Sequence, residues 1–121
     1  MRVLICGSRD YEDSFNFFGT VERILDERQI VDPVIIHGAA DGADTLADDY
    51  AKVNYYRCLR FPAKWPLYGK RAGTLRNIQM LEEGKPHLVI AFPTKESIGT
   101  RHMISISQKA GIPVEIIEVE V

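Results

Sequence analysis

The sequence predicts a doubly wound α/β domain: three layers, α/β/α, around a five-stranded, mainly parallel sheet. Three observations carry this. Val3-Leu4-Ile5-Cys6, Val34-Ile35-Ile36 and His87 to Phe92 are short apolar runs with the unbroken character of strands buried on both faces. Between them lie segments whose apolar residues recur at three, four and seven, the period of a helix with one buried face. Strand and helix alternate along the chain, which implies right-handed βαβ crossovers and hence a parallel sheet.

In order, the first strand is Val3 to Cys6, closed by Gly7-Ser8-Arg9-Asp10. Tyr11-Glu12-Asp13-Ser14 supplies capping chemistry for a helix whose inner face is Phe17, Phe18, Val21, Ile24 and Leu25, ending near Arg28-Gln29. Asp32-Pro33 turns into the second strand. His37 to Asp44 repeats the first loop's form, with Asp41 as a helix cap and Asp44 three residues on, as in a capping box. Ala43, Leu46, Ala47, Tyr50 and Ala51 mark that helix. Tyr55 to Phe61, with Arg57 and Arg60, suits an edge strand. Pro62 to Gly69 is expected to be a loop holding Lys64, Tyr68 and the only tryptophan, Trp65. Lys70 to Leu81 reads as a helix with Ala72, Leu75, Ile78 and Leu81 inward, stopped at Gly84. After the strand to Phe92, Pro93 to Thr100 is a loop. A last helix runs from near Thr100 to Gly111, and Val114 to Val121 forms the final strand.

Length and composition narrow the class. The 121 residues fit one domain spanning 1–121, large enough for a core without disulfides or metal. Apolar residues are 45%, charged residues 26% and the net charge is -2, which argues against a globally basic nucleic-acid binder and leaves a local basic patch open. Cys6 and Cys58 sit in apolar runs, and no cysteine spacing has a metal-site pattern, so no metal is expected. The first strand begins at once, leaving no room for a signal peptide, and no apolar run approaches the ~20 residues of a membrane span. The expected location is the cytoplasm, without membrane contact.

In such a sheet the loops after the first, second and fourth strands converge at the strand ends, where ligands bind. Helix N-termini there favour an anion. Gly42 and Gly99-Thr100 are the places for backbone donors to face a ligand, and Arg9 and Arg76 are the side-chain anion partners. Neither glycine loop fits the dinucleotide or Walker pattern, and no cofactor is expected. Arg76 equally suits a solvated helix position, whereas Asn77 is uncomfortable mid-helix and implies a specific hydrogen bond. His37 reads as a structural histidine at a sheet end, His102 as a surface residue and Glu96 as solvated. Trp65 reads as a packing plug or a base-stacking platform.

Gly7-Ser8-Arg9-Asp10, His37-Gly38-Ala39-Ala40-Asp41-Gly42-Ala43-Asp44, Phe61-Pro62-Ala63-Lys64-Trp65, Ala72-Gly73-Thr74-Leu75-Arg76-Asn77-Ile78-Gln79-Met80, Ala91-Phe92-Pro93 and Gly99-Thr100 occur in order. In this the chain resembles the YspA-like branch of the SLOG superfamily. That Rossmann-like group also holds Lonely-guy phosphoribohydrolases and DNA-processing protein A. The resemblance implies a nucleotide-derived ligand, such as a nucleoside phosphate, an ADP-ribose or NAD derivative or a nucleotide signal, and a homodimer or higher homo-oligomer. Some members serve bacterial and phage conflict systems, so a phage-encoded sequestering protein fits the pattern. The implied ligand-binding set is Gly7, Ser8, Arg9, Asp10, Gly38, Ala39, Gly42, Asp44, Trp65, Arg76, Asn77, Pro93, Gly99 and Thr100.

The departures are chemical. Where the family's second loop reads His-Gly-Gly-Ala-Arg-Gly-Ala-Asp, this chain has Ala39 and Asp41, so a cation has become an anion. Lys64 replaces an aspartate beside the tryptophan. The loop after Pro93 lacks the family's glycine pair. Lonely-guy enzymes carry a catalytic glutamate just after Gly-Thr, where this chain has Arg101, His102 and Met103. Arg76 matches the arginine of their helical motif and is the one catalytic candidate. Binding, as sensor or sequestering protein, is therefore the leading expectation. Nucleotide N-glycosidic hydrolysis is the alternative, with Asp10, Asp44 and Glu96 as available carboxylates. Single-stranded nucleic-acid binding is the third, and the net charge and the lack of a long basic stripe count against it.

Overall fold

The computed structural model describes residues 1–121. Strands β1 (Arg2–Gly7), β2 (Val34–His37), β3 (Cys58–Arg60), β4 (Leu88–Phe92) and β5 (Val114–Ile116) form one sheet in the order β3-β2-β1-β4-β5. All four pairings are parallel. The helices are α1 (Ser14–Glu27), α2 (Ala43–Val53), α3 (Trp65–Tyr68), α4 (Ala72–Gln79) and α5 (Ile98–Lys109). This is the expected Rossmann-like α/β fold. No helix is long and apolar enough to cross a membrane.

Alternation along β1 builds the layers. Val3 and Ile5 join Phe17, Val21, Ile24, Ala47 and Tyr50 of α1 and α2 on one face. Leu4 and Cys6 join Met80, Met103 and Ile104 on the other. Burying each large side chain of this kind is worth about 1.5–3 kcal/mol, which is why β1 is apolar without interruption. The chain lays β2 and β3 to one side of β1, then returns to add β4 and β5 on the other. The order reverses between β1 and β4, and their following loops part there to leave a crevice.

The edges and caps depart from expectation. β3 and β5 pair over three residues each, not over Tyr55 to Phe61 and Val114 to Val121, because an edge has one neighbour and these edges carry charges. Beyond β5 the chain still follows β4: Ile117 N–H donates to the Ala91 carbonyl at 2.8 Å and Val119 N–H to that of Pro93 at 3.0 Å. α1 starts as expected, with Asp13 Oδ1 accepting from Asn16 N–H at 3.1 Å. α2 does not start on Asp41. Gly42 stands at its N-cap with φ +72° and no side-chain cap. α5 begins at Ile98, two residues before Thr100, with Ser97 at its N-cap.

The region expected to be a loop before the third long helix is instead α3, joined to α4 by a 3-10 turn over Gly69–Arg71. α4 gives way to a π turn over Met80–Gly84. The buried positions here are Ala72, Asn77, Met80 and Gly84, while Leu75 and Leu81 are half-buried and Ile78 is exposed. The inward face is rotated from the expected apolar one because it looks partly into the crevice rather than into core.

Candidate functional site

A cavity of about 960 Å³ opens at the carboxyl ends of β1 and β4, large enough for a nucleotide-sized molecule. Its floor is the β1 loop. Gly7 is required by crowding: a Cβ there would lie 2.7 Å from both Ala43 Cβ and the Phe92 carbonyl. Ser8 N–H donates to the Phe92 carbonyl at 2.9 Å, and the Ser8 carbonyl accepts from Ala43 N–H at 3.1 Å. Ser8 Oγ accepts from Asp10 N–H at 3.2 Å. These bonds clamp the loop between β4 and the start of α2. Gly42 completes the clamp, because any side chain there would meet the Arg9 carbonyl, and its φ is unsuited to one.

Arg9 leaves this loop and lies over the Trp65 ring, its Cζ 5.2 Å from the centroid. Trp65 rests on α4 at Gly73, where a Cβ would come 3.4 Å from the indole edge. Asp44 is buried at the base of the cavity, and its Oδ2 accepts from the N–H groups of Gly38 and Ala40 at 3.2 Å each. It is thus a brace for the β2 loop rather than a partner to an Asp41 cap. Burial raises its pKa, outweighing those hydrogen bonds and the nearby Arg76 charge.

Arg76 reaches in from α4. Its Nη1 donates to the Gly38 carbonyl at 2.5 Å and its Nε to Asn77 Oδ1 at 3.0 Å. Nη2 has no partner, and no carboxylate lies within the 4.0 Å of an ion pair. Burial lowers its pKa; Asp44 opposes this, and Arg9 adds to it. Asn77, 4% exposed, bridges α4 to α5: its Nδ2 donates to the Gly99 carbonyl at 3.0 Å and to His102 Nδ1 at 3.1 Å. The expected specific hydrogen bond of Asn77 is present, and His102 is half-buried against it rather than on the surface.

At the start of α5 the N–H groups of Gly99 and Thr100 have no acceptor in the protein. Thr100 is 7% exposed, and its hydroxyl has no partner. Ten of the fourteen expected residues line this cavity: Gly7, Ser8, Arg9, Asp10, Asp44, Trp65, Arg76, Asn77, Gly99 and Thr100. The other four do not reach the wall. Gly38 holds Arg76 from behind, and Gly42 packs under the β1 loop. Ala39 faces outward, its N–H donating to His37 Nδ1 at 2.9 Å. Pro93 is buried in the chain path to β5. Lys70, Thr74, Ser97, Met103 and the segment Glu118 to Val121 line the cavity without having been expected. The parallel pairing of β5 beside β4 was the signal that would have brought that last segment here.

A second cluster, His37, Asp48 and Cys58, holds its ligand-type atoms within 4.8 Å of one another. Its chemistry does not suit a metal. Asp48 already meets Arg60 Nε at 2.6 Å and Lys52 Nζ at 2.9 Å. His37 Nδ1 accepts from Ala39 N–H, so the neutral ring keeps its proton on Nε2, 2.8 Å from Asp48. Burial pushes the Cys58 thiol up to about 11. The cluster ties α2 to the ends of β2 and β3, and His37 is structural.

Among known proteins, the model of the YspA, cpYpsA-related SLOG family matches residues 1–68. That span includes the β1 loop, the β2 loop and Trp65. The "Gene 61 protein" of Mycobacterium phage D29 is 40% identical over 118 residues, covering 93% of each chain. DNA processing protein A from Streptococcus pneumoniae superposes on 99% of this chain with a TM-score of 0.66 and 19% identity. This chain spans about half of that protein (51%), and the likeness is one of fold.

Proposed function

The chain belongs to the YspA, cpYpsA-related SLOG family, and on that premise we propose that it binds a nucleotide-derived small molecule at the strand ends, as a sensor or sequestering protein. Family and fold together point to nucleotide-related or nucleic-acid-related work. The observation that carries the finer reading is Arg76: a half-buried guanidinium with a free Nη2 and no carboxylate partner, in one cavity with the unpartnered N–H groups and hydroxyl of Gly99 and Thr100. A cation partly withdrawn from water without an ion pair is costly, and an anion seated there offsets that cost. A phosphate also satisfies the α5 donors. Trp65, beneath Arg9, offers a ring for a base.

Thermal melting in the presence of nucleoside phosphates, ADP-ribose, NAD and cyclic nucleotides tests this. A ligand at 100 times its Kd adds about 2.7 kcal/mol. With about 2.1 cal/mol/K of unfolding entropy per residue, this shifts Tm by about 10 °C. Arg76→Ala abolishes the shift. No response to any of these compounds refutes the reading.

Asp44 favours a second reading, N-glycosidic hydrolysis. It places a carboxylate at the cavity base, and burial raises its pKa. Chromatographic release of free base from a bound nucleotide, lost in Asp44→Asn, is the expected result. Intact nucleotide after prolonged incubation excludes it. The dimer or higher oligomer implied by the family is part of the proposal and is read from light scattering.

A further inference from the structure

The net charge of -2 conceals a separation of charge along the chain. Between Asp49 and Glu82 there are seven cations and no carboxylate: Lys52, Arg57, Arg60, Lys64, Lys70, Arg71 and Arg76. The fold spends Lys52 and Arg60 on Asp48. Lys64, Lys70 and Arg71 make no ion pair and are exposed on α3 and the 3-10 turn, the arm that forms one lip of the cavity. Interleaved with them are Trp65, 44% exposed, and Tyr68, 47% exposed. Trp65 and Lys70 face the cavity, while Lys64 and Arg71 lie outside it. The arm thus carries two exposed rings, Trp65 and Tyr68, flanked by Lys64 before them and by Lys70 and Arg71 after them, and it extends beyond the cavity.

We propose that this arm is a binding surface for single-stranded nucleic acid, with one terminal nucleotide in the cavity and its neighbours along Lys64, Trp65, Tyr68 and Arg71. The inference rests on the cavity being a nucleotide site and extends its ligand from a mononucleotide to a strand. Unpaired cations supply affinity for phosphates independent of sequence, and exposed rings stack unpaired bases. A duplex keeps its bases stacked on each other and cannot use the rings. An acidic protein partner needs the cations but not the paired aromatics. Arg9 fits the same scheme. It is held over Trp65 by an exposed cation–π contact, so a base that stacks on the indole releases its guanidinium to a phosphate.

The test measures fluorescence anisotropy of labelled 12-nucleotide oligo-dT, oligo-U and a 12-base-pair duplex, beside thermal shifts with dTMP and UMP. The strands are expected to bind at least tenfold tighter than the mononucleotides and than the duplex. About three phosphate contacts give a log–log salt slope near -2, or about 15-fold weaker binding from 50 to 200 mM salt. The variant Lys64→Glu/Arg71→Glu should lose at least tenfold in strand affinity and keep the mononucleotide shift. Trp65→Ala should also lose strand affinity. If mononucleotides bind and strands bind no tighter, the inference fails and the cavity reading stands. Equal binding of duplex, or equal competition by polyglutamate, also overturns it, in favour of a general polyanion surface. If neither mononucleotide nor strand binds, both readings fall together.

Discussion

Gly38→Ala separates the seating of Arg76 from the stability of the fold. Gly38 lies outside the cavity, yet a Cβ on it would fall 2.6 Å from Arg76 Cζ. The guanidinium occupies the space a side chain would take. Gly38 is not at positive φ, so alanine is tolerated by its backbone and gives back about 0.4–1 kcal/mol through the unfolded state. The clash falls on the flexible end of Arg76, which swings aside. The swing breaks the Nη1 bond to the Gly38 carbonyl, a charge-assisted bond worth about 1.5–3 kcal/mol, and moves Nε away from Asn77. The net cost to folding is therefore about 1–2 kcal/mol. At about 0.25 kcal/mol/K for 121 residues, calorimetry should show Tm falling by about 4–8 °C. Binding suffers more, because losing one charged contact to an anion costs about 2–3 kcal/mol, or about 30- to 150-fold in Kd. Isothermal titration with the nucleoside phosphate that most stabilises the native protein reads this directly. Unchanged Tm and unchanged Kd would refute the seating of Arg76 by Gly38. A Tm loss beyond 15 °C would show that Gly38 supports the fold itself.

Gly42→Ala should behave in the opposite way. Its Cβ meets the Ser8 and Arg9 backbone at φ +72°, with no flexible end to yield, so about 2–4 kcal/mol and 8–16 °C of Tm are lost in calorimetry. Asp48 gives a pH dependence. Burial alone would raise its pKa, but hydrogen bonds from Lys52, Arg60 and His37 outweigh burial and hold it below the usual carboxylate range. Its folded pKa is below the unfolded value, so this stabilisation is complete above about pH 4 and is lost as pH falls further. Melts of Asp48→Asn should show lower Tm at pH 7 and a shallower loss in acid than the native protein, and parallel curves would count against it. The Cys58 thiol, pushed up to about 11, should resist iodoacetamide at pH 7 in the folded state and react on unfolding, as followed by mass spectrometry.

What was legible in the sequence follows from how local each cause is. β1, β2 and β4 are buried on both faces, so their apolar runs announce them without reference to partners. The edge strands are shorter than expected because apolar residues continue through Tyr55 to Phe61 and Val114 to Val121 beyond the three residues that pair with the single neighbouring strand. α3 is not legible in the sequence because four residues carry no helical period. Ile78 is exposed although a helix is expected to turn its apolar side to the core. α4 instead turns Arg76 and Asn77 inward, towards partners 38 and 22 residues away in sequence, and no local rule anticipates such partners. The same holds for His102, whose place is set by Asn77. Gly42 in place of Asp41 at the α2 cap has a similar origin, since the deciding contact is with the backbone of the β1 loop. The charge is a different case. The carboxylate-free stretch from Tyr50 to Leu81 stands in the sequence, and only averaging over the whole chain hides it. The fold gives that stretch meaning by spending Lys52 and Arg60 on Asp48 and leaving Lys64, Lys70 and Arg71 unpaired at the cavity mouth. A net charge bears on partners only when the folded surface mixes the charges evenly, and the arm with Lys64, Lys70 and Arg71 is a stretch where it does not.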